Sequence, residues 1–129
     1  MMAEQAAVSF SVRGMCPKPW GTNEWNWRKM IAEEARKLGP PVVSSEGRRF
    51  WVRIVFFIPS SALQRTDLDN LAKPVLDTLF RATHTQAPID NVTGILFDVD
   101  DGAVFSLELE KQAASSRSSE GIDVQIGWG

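Results

Sequence analysis

Arg49-Phe50-Trp51-Val52-Arg53-Ile54-Val55-Phe56-Phe57-Ile58-Pro59 is the stretch that decides the fold. It is dense in β-branched and aromatic residues, which pack well on a pleated surface and are enriched in strands. From Ile54 to Ile58 the apolar character is unbroken. An unbroken run of this kind is expected of an internal strand covered on both faces, whereas a half-exposed strand alternates.

On the C-terminal side, Ser60 to Thr66 is a polar connection. Leu68, Leu71, Val75, Leu76, Leu79 and Phe80 then trace an apolar stripe, predicting a helix from about Asp67 to Arg81. On the N-terminal side, Val8 to Arg13 alternates as a half-buried strand, and the proline- and glycine-bearing stretch after it is a loop. From Asn23 the residues Trp27, Met30, Ile31, Ala35 and Leu38 fall at helical spacings, and Gly39-Pro40-Pro41 ends that run. Residues 82–96 hold no sustained period and are expected to be an inserted loop, with Ile95 to Phe97 a short strand at its end. Val104 to Glu110 alternates as a strand, residues 112–121 form a mobile serine-rich loop, and Ile122 to Ile126 closes the chain as a strand. The simplest topology pairs these last two strands as a hairpin. The expectation is therefore a single small α/β domain over residues 1–129, with a mixed sheet and the order β-α-β-α-β-β.

Composition excludes several classes. One cysteine, Cys16, allows no intrachain disulfide and no four-cysteine zinc site. A Cys16–His84 nucleophile pair has no support from spacing. Cys16 beside Pro17 reads as a small apolar group at a strand end, and His84 as an exposed loop residue. No apolar run approaches the about 18 residues of a membrane span, and the first residues lack a positive leader region. No membrane association and a cytoplasmic location are expected. The formal net charge of -2 counts against a dedicated nucleic-acid binder unless clustered aspartates hold cations that invert the local sign.

Such clusters exist. Arg65-Thr66-Asp67-Leu68-Asp69-Asn70-Leu71-Ala72-Lys73 follows directly on the apolar strand, where loops leave a sheet and sites form. Hard divalent cations take oxygen ligands, and two or three carboxylates with waters suffice. An extended Asp67-x-Asp69 points both carboxylates to one side, and Asp69 and Lys73 share a helical face. Pro74 cannot donate to the Asn70 carbonyl, so a helix start near Asn70 suits it best. The structural alternative is a capping box from Thr66 to Asp69 with an Asp69–Lys73 surface pair. A second group, Asp98, Asp100 and Asp101, precedes Gly102 and the Val104 strand, and could be an acidic turn or could meet the first group at one sheet edge.

The segment Asp67-Leu68-Asp69-Asn70-Leu71-x-Lys73 with Asp77, and the segment Asp100 to Lys111, resemble the RusA-type Holliday-junction resolvases. The resemblance implies that Asp67, Asp69 and Asp101 bind catalytic Mg2+, for which Mn2+ can substitute, and that Lys73 contacts the scissile phosphate. It also implies a homodimer making paired nicks in branched DNA during recombination and repair. The stretch from Arg81 to Leu96 is longer than the family pattern and contains Asp90-Asn91. Aligned to the pair, Asp90-Asn91 would put Asn91, a poorer ligand, in place of the second aspartate; the register on Asp100-Asp101 is preferred because the following strand, loop and strand then fall in place. Lys18, Arg48, Arg49 and Arg65 are candidate DNA contacts, each with solvated charge as its alternative. Two other readings compete with a nuclease. One is a catalytically silent relative that binds branched DNA. The other is a calcium-binding acidic protein, for which no EF-hand spacing is present.

Overall fold

In the computed structural model the apolar stretch forms an internal strand, as its composition predicts. The model describes residues 8–21, 24–38, 47–80, 96–97 and 99–129. In chain order the elements are β1 (Val8–Arg13), α1 (Trp25–Arg36), β2 (Phe50–Ile58), α2 (Leu68–Leu79), β3 (Val104–Ala113) and β4 (Gly121–Trp128). The predicted order of strands and helices is the observed one.

The pairing of the last two strands differs from the hairpin expected. The sheet order is β1-β4-β2-β3. β4 lies antiparallel to both β1 and β2, and β3 lies parallel to β2 on the outer edge. The side chains explain the exchange. Ile122, Val124 and Ile126 are each at most 1% exposed, which only a central strand under helices can satisfy. β3 carries Ser106, Glu108, Glu110 and Gln112, which tolerate the solvated edge. The alternation in β3 and β4 was legible; the neighbour of each was not.

The face of β2 bearing Val52, Ile54, Phe56 and Ile58 joins Trp27, Ile31 and Ala35 of α1 and Leu71, Val75 and Leu79 of α2 in one core. Both helices therefore cover the same face of the sheet. No helix among the described residues covers the other face, where the sequence predicts a doubly covered strand. Val55 is buried there, but Trp51, Arg53 and Phe57 are only half-buried. Charged neighbours shield it, with Arg53 bonding Glu108 and Glu110 on β3 and Arg13 lying 4.6 Å over the Phe57 ring.

Other boundaries shift modestly. β3 runs on to Ala113, so the serine-rich connection is shorter than residues 112–121 and is shaped by a turn at Arg117–Ser119 with serine-to-serine hydrogen bonds. Of the short strand expected at Ile95 to Phe97, Ile95 lies outside the described residues, and Phe97 makes an isolated β-bridge. The backbone N–H groups of Leu96 and Phe97 both donate to the Leu79 carbonyl. The remainder of the inserted loop, including His84 and Asp90-Asn91, lies outside the described residues, as does Asp98.

Candidate active site

α2 starts where the sequence places the first acidic cluster. Asp67 is its N-cap, with an extended backbone at φ -82° and ψ 130°, and Asp69 sits in the first turn. The structural alternative for these residues does not form. The Thr66 hydroxyl donates to the Ala62 carbonyl rather than capping the helix, and the Asp67 carboxylate makes no capping hydrogen bond. Lys73 pairs with Asp77 at 3.6 Å rather than with Asp69. Asp69 accepts only from the neighbouring Asn70 N–H, and both Asp67 and Asp69 are exposed. Acidic side chains held in solvent without a structural task are available for a ligand.

The loop that delivers them is anchored. The Lys111 ammonium donates to the carbonyls of Leu63 and Thr66 at 2.7 and 2.8 Å, tying the β2–α2 connection to edge strand β3. At the far end of α2 a different device operates. Phe97 packs among Phe50, Phe80 and Trp128, with ring centroids 4.7, 4.9 and 5.5 Å away. This burial, together with the two bonds to Leu79, docks the segment before β3 onto the end of α2. The Asp100 carboxylate then accepts from the Gly102 N–H and caps the turn Asp101–Ala103. The first aspartate of the pair is thus structural.

Electrostatics identify what Asp101 faces. Burial pushes its carboxyl above the ordinary carboxylate value. A hydrogen bond with Asp100 and the charges of Asp100 and Asp77 raise it further, while Lys73 opposes the rise. Asp101, Asp77 and Lys73 therefore share one neighbourhood. Asp69, Lys73 and Asp77 recur at four-residue intervals, a single helical face. Asp69 and the N-cap Asp67 stand towards the head of the helix, about 12 and 15 Å from Asp77 by the helical rise. The structure thus brings Asp101 to Asp77 and Lys73, and it leaves Asp67 and Asp69 at the head of the same helix. Asp77 is half-buried and its backbone carbonyl accepts from Arg28, whose Nε also bonds the Thr78 hydroxyl. That clamp between α1 and α2 fixes the height of Asp77.

Among the described residues no three histidine, cysteine or acidic side chains converge as a closed metal cage would. Magnesium does not require one, since it keeps several waters and is held by one or two carboxylates plus substrate phosphates. Asp77 and Asp101 are hard oxygen donors, the ligand type such a cation takes. A thiol nucleophile does not fit, because burial, with Glu120 adding to it, pushes Cys16 up and disfavours its reactive thiolate. No helix of the described chain is long and apolar enough to cross a membrane. No protein-family model and no curated protein matches the chain, so a reaction has to be assigned from the side chains themselves.

Proposed function

We propose that the protein is a magnesium-dependent endonuclease acting on branched DNA, a resolvase of four-way junctions of the RusA type. The observation that supports this best is the face of α2 on which Lys73 stands between acidic groups, with Asp101 brought against it from the β3 side. Phosphodiester hydrolysis needs that combination, because carboxylates hold a divalent cation and a fixed cation meets the phosphate. Asp101 and Asp77 would hold the ion, while Asp69 and Asp67, about 12 and 15 Å further along the helix, would meet the docked strand through a second cation rather than share that ion. A bound magnesium ion would supply charge neutralisation at the phosphate and a lowered pKa for the attacking water. Lys73 would donate to a non-bridging phosphate oxygen and hold the charge that builds there. Its pairing with Asp77 keeps the ammonium over the site until the phosphate displaces that carboxylate.

In this reading the second subunit of a homodimer supplies the second nick of a symmetric pair. A second reading is favoured by one observation: the described carboxylates do not close into a three-ligand cage. It is a protein that binds junctions without cutting them. The test is cleavage of a synthetic four-way junction in magnesium and in chelator, beside linear duplex. Magnesium-dependent symmetric nicks in the junction alone support the resolvase; retained junction binding without cleavage selects the silent binder; neither result leaves the nucleic-acid reading without support.

A further inference from the structure

The loop between β1 and α1 holds a side chain that the site leaves unused. Trp20 is 55% exposed, although an indole of that size is ordinarily drawn into a core. Its position is built by the backbone. Pro74 has no N–H to give the Asn70 carbonyl, four residues back in α2. That carbonyl instead accepts from the Trp20 N–H at 2.9 Å. On the other side, Gly21 takes φ +91° and its N–H donates to the carboxylate of Glu24, which is 6% exposed. The ring stands 5.9 Å from the Lys73 ammonium. A gap in the helix ladder therefore pins an exposed indole beside the residue expected to meet the phosphate.

The same loop lines a cavity of about 460 Å³ whose polar lining is Lys18, Asn26, Arg117 and Glu120. Neither Lys18 nor Arg117 enters any ion pair found among the described residues. Two cations face a single carboxylate there, in a chain whose net charge is negative.

We infer that Trp20 is a stacking platform for a nucleobase of the substrate strand, and that Lys18 and Arg117 take an adjoining phosphate. The inference rests on the nucleic-acid reading of the site and extends it to specificity. Every base offers a π-face to an indole, but a base inside continuous duplex is already stacked on both sides. A fixed tryptophan next to the cleavage residues thus selects unpaired or branch-point nucleotides over linear duplex.

The test uses the full chain in chelator, so that binding is read without cleavage. Fluorescence anisotropy follows a labelled oligodeoxythymidine, a four-way junction and a linear duplex. Trp20→Ala is expected to weaken binding of the single strand and the junction about 10-fold or more, Trp20→Phe to restore most of it, and duplex binding to stay nearly unchanged. Lys18→Ala and Arg117→Ala should each flatten the salt dependence by about one phosphate contact. Should Trp20→Ala fail to fold, quenching of tryptophan emission by the oligonucleotide, present in the native protein and lost in Trp20→Phe, reads the same contact. A Trp20→Ala protein that binds single strand and junction like the native one overturns the platform and leaves the nuclease reading standing. A native protein that binds none of the three DNAs overturns both.

Discussion

Replacing Asp101 by asparagine should make the metal-free protein more stable while removing its response to magnesium. Asp101 is partly buried beside Asp100, within reach of the charge on Asp77, and all four causes that raise its pKa oppose the charged form. A carboxyl whose folded pKa is raised favours the neutral state in the fold. It therefore destabilises the protein at pH above the raised value, and the penalty fades as pH falls toward the ordinary value of 3.8. Asparagine keeps the shape and a hydrogen bond to Asp100 but carries no charge. Discounted for partial exposure, its gain at neutral pH is some tenths to about 1 kcal/mol. For a domain of this size that is at most about 4 °C in Tm. In the native protein, magnesium at ten times its Kd should add about 1.4 kcal/mol, and Asp101→Asn should show little of this. Thermal unfolding in chelator and across a magnesium titration, at neutral pH and near pH 4, measures all four quantities. Cleavage should be lost in the same variant. An Asp101→Asn protein that is less stable than the native one in chelator, or that gains equally from magnesium, would refute the reasoning.

Other outcomes are as specific. Asp67→Asn and Asp69→Asn should abolish junction cleavage with little change in urea unfolding, because neither carboxylate caps the helix; a loss above about 1 kcal/mol would show a structural task instead. Lys111→Met removes two hydrogen bonds to the β2–α2 connection and should cost about 1–3 kcal/mol in chemical denaturation. Phe97→Ala empties the aromatic cluster that docks the Asp101 segment and should cost about 3–5 kcal/mol, lowering magnesium affinity with it. Pro74→Ala supplies an N–H that competes with Trp20 for the Asn70 carbonyl, so Tm should change little while the Trp20 emission shifts red.

Part of the arrangement on α2 is legible in the sequence, because it rests on local rules. Asp69, Lys73 and Asp77 are placed on one face by the helical period alone, and an unbroken apolar run is enough to make β2 internal. Pro74 announced an unpaired Asn70 carbonyl, yet the chain carries no local mark that the Trp20 amide would fill it. Loop docking of this kind depends on backbone groups that look alike in every sequence, so no sequence signal marks Trp20. Asp77 was visible as part of the α2 pattern, but not as the carboxylate that Asp101 would meet.

By itself the sequence determined which segments are helix and strand and their order, since propensity and periodicity act over a few residues. Tertiary structure alone decided that β4 enters between β1 and β2, that both helices share one face, and that Asp101 joins Lys73 and Asp77. These outcomes turn on which apolar surfaces bury each other most completely. Burial is a sum over the whole chain, with Ile122, Val124 and Ile126 claiming the centre and the charged β3 left to the edge.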